Sequence, residues 1–296
     1  MINLSEPFQF EFFVRGLIAA TLAGSLCGLI GVYIVLRRMS YIGHGLAHAI
    51  FGGAVVSFVI NVNFYIGAGL WGFLSALLIN LISSKRKIGA DAAIGIVTTA
   101  SFALGVALIS HVRRFTKNFE AALFGNILGV TQRDLVIIAI VLAITLLVVF
   151  FFYKQLLFAT FDPEVAPAYG VSTQRMDSLF ALVRAGAIIA SLQVLGATLI
   201  AAAIVVPAIM ARLLTDSFHR VMVMAVLIGA GSGFLGMYIS YFVDVSSGAN
   251  IVLLQAALFS LVMVYSTLRG RWPFGRVQAP IERRVASVPE ERGLFE

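Results

Sequence analysis

Two histidines lie four residues apart in the segment RRMSYIGHGLAHA, residues 37–49. His44 and His48 come at the beginning of an apolar run, and on a helix this spacing stacks both imidazoles on one face. At the edge of a bilayer such a pair costs free energy unless its ring nitrogens are satisfied. Neutral imidazole is a good ligand for zinc and an acceptable one for iron or manganese, so the pair predicts a divalent-metal site. Hydrogen bonding across helices is the alternative interpretation.

The histidine pair alone does not complete a metal site. Zinc normally takes four ligands, and a transported ion needs a site that it can also leave. The remaining ligands are expected from another helix, from water or from a second subunit. Asp91, which opens a later apolar run, is the nearest candidate by chemistry, but it is also well suited to cap that helix. His111 and His219 lie at span ends beside basic residues, and the single cysteine, Cys27, is expected only to pack.

Several catalytic motifs do not occur in the sequence. Without a GxxxxGKS or GxxxxGKT phosphate loop, the chain is not expected to hydrolyse ATP itself. Without HExxH or GxSxG, an intramembrane protease or lipase is disfavoured. Energy for uphill transport is therefore expected from a partner. The alternatives are an ATP-independent carrier or channel for divalent cations and, more weakly, a membrane-embedded metalloenzyme.

The elements that carry these residues are predicted to be membrane-spanning helices. Of 296 residues, 60% are hydrophobic and 12% are charged, a balance that is typical of integral membrane proteins. The fold class is therefore predicted as all-α and polytopic, with roughly eight or nine transmembrane helices within residues 1–268. The candidate spans are about 12–36, 44–60, 64–82, 92–111, 135–153, 177–192, 194–213, 221–243 and 250–268.

Clusters of Lys and Arg just outside the apolar runs indicate which loops face the cytoplasm. This rule places there the loops around 37–43, 83–91, 154–176 and 214–220, together with the tail after 268. The segment from His111 to Lys117 is an exception, because it is basic yet falls on the opposite side. The tail, residues 269–296, mixes Arg, Glu, Pro and Gly and is expected to be cytoplasmic and partly disordered.

Small residues predict where helices approach each other closely. The span that begins at His44 is rich in glycine, which predicts a helix packed against its neighbours and lining a pathway. Gly24 with Gly28, and Gly229 with Gly233, form small-xxx-small pairs of the kind that lets two helix backbones meet.

The stretch FATFDPEVAPAYGVSTQR carries the signals of a short helix outside the membrane. Asp162 is a good N-cap, Pro163 suits the first helical position and Glu164 complements the positive end of the helix dipole. Gly170 can end the helix, and Pro167 limits it to about two turns. We therefore predict a helix over about 162–170; an ordinary capped loop is the alternative.

Three stretches of the chain resemble the ABC-3 family of metal permeases. They are VLRRMSYIGHGLAHA (35–49), DAAIGIVTTASFALGVALIS (91–110), and LQVLGATLIAAAIVVPAIMARLL (192–214) continuing into GSGFLGMYISYFVDVSSGA (231–249). The resemblance implies a type II importer-like permease in a prokaryotic cytoplasmic membrane, working as a homodimer or a pair of related permeases. Its implied partners are two cytoplasmic ATP-binding subunits and an extracytoplasmic metal-binding protein. No permanently bound cofactor is expected; Zn²⁺ or Mn²⁺ is the cargo, and the partner uses the ATP.

The resemblance also assigns roles to particular residues. The 162–170 segment is similar to the coupling helix that docks on the ATPase, with matching residues Asp162, Pro163, Glu164, Ala166, Tyr169 and Gly170. The family's ion site uses a carboxylate and a histidine four apart, and the matching positions are His44 and His48, with His44 in place of the usual Asp. Because a neutral nitrogen replaces a hard anionic oxygen, zinc is favoured over manganese, with iron as a further candidate.

Overall fold

The computed structural model describes residues 4–60, 62–84, 89–112 and 125–269, and all regular structure in these ranges is helical. The helices are α1 (Glu11–Leu36), α2 (Ile42–Val59), α3 (Phe64–Ser84), α4 (Ala90–Val112), α5 (Gln132–Phe151), α6 (Tyr153–Phe161), α7 (Thr173–Leu214), α8 (Phe218–Val243) and α9 (Ser247–Leu268). Among the described residues, eight helices, all except α6, are long and apolar enough to cross a membrane. This confirms the predicted all-α polytopic class.

Helix α7 folds back on itself at Gly196. This glycine has φ 76° and ψ 161°, a backbone conformation that side chains with a Cβ rarely adopt. On one side of the break Phe180 contacts Tyr33 of α1, and on the other side Ile204 packs against the neighbouring Gly31. A straight helix would separate residues 180 and 204 by about 36 Å. The two halves, α7a (173–195) and α7b (197–214), therefore run side by side and account for the predicted spans 177–192 and 194–213.

Helices α1 and α8 pack backbone against backbone at the two predicted small-residue pairs. A Cβ added at Gly24 would overlap the carbonyl of Gly229, and one added at Gly233 would overlap the carbonyl of Ala20. Gly28 meets the carbonyl of Ala225 in the same way. The glycines therefore serve close helix approach, as the sequence pattern predicts.

Helix α2 lies between α3, α4 and α7. Gly52 leaves room for the backbone of Ser101 in α4, and Gly53 leaves room for Trp71 in α3. Gly45 faces the side chains of Ile94 and Thr98. The glycines thus let α3 and α4 pack closely against α2, which confirms the prediction of a tightly packed second span.

The contacts between helix ends agree with the predicted membrane sides. Arg37, at the end of α1, pairs with Asp177 at the beginning of α7, and both belong to loops or ends predicted to be cytoplasmic. At the opposite ends of other helices, Tyr65 of α3 donates a hydrogen bond to Asp134 of α5. The basic residues 85–87 and 113–117, and the tail 270–296, lie outside the described residues.

The predicted helix over 162–170 is wrong in its extent. Asp162 is the C-cap of α6 instead of an N-cap, and a turn follows it before a four-residue 3-10 helix, Ala166–Tyr169. Pro163 explains the break, because the residue before a proline is driven to extended backbone, and Asp162 has φ −138°. Gly170 does end the segment in a left-handed conformation, φ 74°, as predicted.

Candidate metal pathway

The two histidines occupy the third and seventh positions of α2, directly after a short link from α1. In this link, residues 37–41, the amide of Met39 donates to the carbonyl of Ile34 and the amide of Ile42 donates to the carbonyl of Met39. Arg38 holds a left-handed backbone, φ 56°, in the same turn. The hydrogen bonds fix the direction in which α2 starts and so the position of its first turns.

The imidazoles of His44 and His48 lie next to each other on one face of α2. Their ring centroids are 4.5 Å apart and the rings are nearly perpendicular, at 80°. Tyr41 lies 5.6 Å from the His44 ring and Phe102 of α4 lies 5.1 Å from the His48 ring. Two nitrogens that bind one zinc ion are roughly 3.4 Å apart. Small ring rotations would therefore bring one nitrogen of each histidine to a shared cation.

Over most of α2 the histidine face is the part that is not closed by other helices. From Ile42 to Val55 every residue is buried except His44 and His48, which are partly exposed. The Nδ1 atom of His48 is nevertheless buried and has no hydrogen-bond partner. A buried ring nitrogen without a partner costs free energy, and a cation bound there would remove that cost.

The described part of the chain brings no third His, Cys, Asp or Glu side chain together with the pair. No group of three or more His, Cys, Asp and Glu side chains gathers anywhere in the described ranges. Asp91 is exposed in the first turn of α4, one residue inside the helix, so it faces the positive helix end but is not the N-cap residue. His111 lies in the last turn of α4, and His219 is exposed in the first turn of α8.

The segment matched to the coupling helix presents apolar side chains on the side that the basic loops predict to be cytoplasmic. The rings of Phe158 and Tyr169 stack at 5.4 Å, and Tyr169 is 69% exposed. Phe161 and Val165 are also exposed, whereas Ala166 is fully buried. Asp162, Pro163, Glu164 and Gly170 are exposed as well. Exposed aromatic side chains around a buried anchor suit a protein contact.

The sequence did not predict a polar cluster around Arg37 at the end of α1. Arg37 was read only as a sign of membrane sidedness, yet its guanidinium contacts Thr160 and Asp177. These partners are 123 and 140 residues away along the chain, and no local pattern links them. Arg184 is buried in α7a, with 2% of its surface exposed. It lies inside the predicted apolar span 177–192, and no role was predicted for it.

Comparison with known proteins adds a consistent set of similarities. Residues 9–266 match the ABC 3 transport family. The chain is 37% identical over 274 residues to the manganese transport system membrane protein MntC of Halalkalibacterium halodurans, covering 91% of this chain and 94% of that protein. It is 34% identical over 267 residues to a probable iron transport system membrane protein of Haemophilus influenzae, covering 90% and 94%. The solved structure of PsaBC from Streptococcus pneumoniae with a Fab superposes with a TM-score of 0.79 at 34% identity, over 88% of this chain and 94% of that one.

Proposed function

Because the chain belongs to the ABC 3 transport family, the membrane permeases of metal-importing ATP-binding cassette transporters, we propose that its divalent cargo passes through a site formed by His44 and His48. The observation that carries this proposal is the adjacent imidazole pair on the open face of α2, with a buried His48 nitrogen that has no partner. A moving cation satisfies that nitrogen without requiring a permanent ligand set. A two-ligand half-site also suits cargo, because an ion held by few protein groups can leave.

The rest of the coordination shell is proposed to come from water and from a second copy of the permease. Zinc normally takes four ligands, and the described part of one protomer brings together two. A homodimer with the open faces of both α2 helices towards each other would double the number of imidazoles. Asp91 stays a weaker candidate ligand, since it is exposed and does not gather with both histidines in one protomer.

Zinc is proposed as the preferred cargo, with manganese as the second candidate. Two neutral nitrogens favour zinc, because manganese prefers carboxylate, carbonyl and water oxygens. Manganese is supported by a different observation: relatives 34–37% identical to this chain are named manganese transport proteins. Iron is a third candidate on the same ground, through the Haemophilus influenzae relative.

The energy is proposed to come from cytoplasmic ATP-binding subunits that dock on the coupling segment, residues 162–170. The exposed Tyr169, stacked on Phe158, supports this docking role, with Pro163, Glu164 and Gly170 around it and Ala166 anchoring it. An extracytoplasmic metal-binding protein is proposed to deliver the cargo on the other side of a bacterial inner membrane. An autonomous carrier would need no ATPase and would transport metal alone in liposomes.

The proposal is tested by removing the imidazoles in the assembled complex. His44→Ala with His48→Ala should lower metal uptake by about tenfold or more, since even outer-shell partners of a metal reach that range. Uptake of Zn²⁺ and Mn²⁺ is measured in a strain whose sole importer contains this permease. His219→Ala, an exposed histidine on α8, is the matched control and should leave uptake unchanged. Normal uptake by the double variant would reject the site.

A further inference from the structure

The side chain of Arg37 joins the two chain segments that flank the coupling segment. Its Nε donates to Thr160 Oγ1 at 3.1 Å, in the last turn of α6, just before Asp162. Its Nη1 donates to Asp177 Oδ1 at 2.6 Å, in the second turn of α7, seven residues after Gly170. One guanidinium at the end of α1 therefore holds both the entry and the exit of the coupling segment.

The arginine is held in an enclosed site although its partner is partly exposed. The side chain of Arg37 is 10% exposed, and its guanidinium carbon lies 4.7 Å from the centroid of the buried Phe180 ring. Charge-assisted hydrogen bonds from a planar guanidinium are stronger and more directional than neutral ones. Asp177 is 39% exposed, so solvent weakens this pair relative to a fully buried one. The ion pair between Arg37 and Asp177 is therefore well ordered, but a movement of α7 can break it.

A second arginine makes the contact sensitive to movement of α7. The guanidinium carbon of Arg184 lies 5.6 Å from the same Phe180 ring, and its Nε is buried without a hydrogen-bond partner. Two positive charges on one aromatic ring repel each other strongly in a medium of low dielectric constant. Asp177 offsets that repulsion at Arg37. If the start of α7 carries Asp177 away, Arg37 loses its counter-charge and is driven to move.

We propose that Arg37 is a positioning residue that transmits displacement of the coupling segment to the histidine pair. The inference rests on the proposed function. Arg37 begins the five-residue link to α2. Two backbone hydrogen bonds, from Met39 to Ile34 and from Ile42 to Met39, tie this link to the helices on either side and restrict its movement. A shift of Arg37 is therefore passed to the first turn of α2, where His44 lies.

The test separates ATP hydrolysis from metal movement. The complete complex, purified with its ATP-binding subunits and supplied with its extracytoplasmic binding protein, is reconstituted in proteoliposomes. Zn²⁺ or Mn²⁺, whichever the unaltered complex accumulates faster, is the probe. Arg37→Gln, Asp177→Asn and Thr160→Val are compared with Arg175→Gln, a change of an exposed arginine two residues before Asp177.

Loss of coupling is the expected result. In Arg37→Gln and Asp177→Asn, the number of metal ions moved per ATP should fall by about tenfold, which is within the usual range of coupling between two sites. The rate of ATP hydrolysis should stay within about twofold of that of the unaltered complex. Thr160→Val should give a smaller fall, and Arg175→Gln none. The double variant Arg37→Gln with Asp177→Asn should be no worse than Arg37→Gln alone, because the arginine change already removes the contact with Asp177.

Three outcomes would overturn the inference. The first is an unchanged ratio of metal to ATP in Arg37→Gln. The second is a proportional fall of transport and hydrolysis, which would indicate a docking or folding role. The third is failure of all the cluster variants to assemble. None of these outcomes would argue against the proposed metal site at His44 and His48. Absence of metal transport by the unaltered complex would instead reject the proposed function itself.

Discussion

At the scale of single residues, the proposed metal pathway depends on the type and environment of two side chains. The sequence predicted the pair because i and i+4 positions share a helix face. It could not predict that His44 and His48 are the only residues not fully buried between Ile42 and Val55, since that depends on α3, α4 and α7 closing around α2. The role of Asp91 could not be predicted either, because an acidic residue at the start of a helix is suited both to capping that helix and to binding a metal.

The preference for zinc is a prediction at this scale. Changing His44→Asp replaces a neutral nitrogen by an anionic oxygen, which manganese accepts better. The ratio of Mn²⁺ to Zn²⁺ accumulation should rise by about tenfold, equivalent to about 1.4 kcal/mol of differential binding. Uptake of both ions is measured in one strain with this permease as its sole importer, and His219→Asp serves as control. Greater uptake of manganese than of zinc by the unaltered protein would reject the preference.

At the scale of helices, small residues and prolines determined what could be predicted. The glycine pairs predicted the contact between α1 and α8. The break at Gly196 lies two residues inside the predicted span 194–213, so the sequence predicted two helices here but placed their boundary slightly too early. Helix α6 was missed because YKQLLFATF is too short to span and continues a preceding apolar run. The predicted coupling helix was too long, because Asp162 was assigned to the helix after it instead of the helix before it.

The contact between α1 and α8 can be tested by adding one methyl group. In Gly24→Ala the new Cβ would overlap the carbonyl of Gly229, so the two helices must separate. We expect a loss of about 1–3 kcal/mol, the usual cost of overpacking, seen as a lower unfolding midpoint of the purified protein in detergent. Gly231→Ala is the matched control on α8, where a Cβ would have no neighbour within 4 Å. Equal midpoints for the two variants would contradict the packing described for this helix pair.

At the scale of the whole molecule, the proposed metal site and the proposed docking site for the ATP-binding subunits lie in different parts of the chain. The histidine pair opens from one face of α2, and the coupling segment lies beyond the ends of α1 and α7. Arg37, which contacts residues on both sides of the 162–170 segment, is joined to α2 by a five-residue link. This arrangement supports our proposal that a chain without a phosphate loop responds to ATP hydrolysis in another subunit.

The most direct measurement of the central claim is the location of the cargo ion in the assembled complex. Crystals of the complex grown with Zn²⁺ and measured at the zinc absorption edge would give an anomalous peak at each bound ion. We expect a peak about 2.0–2.1 Å from one ring nitrogen of His44 and one of His48. A transport-competent complex whose zinc peaks all lie on other residues, with both imidazoles bare, would contradict the account.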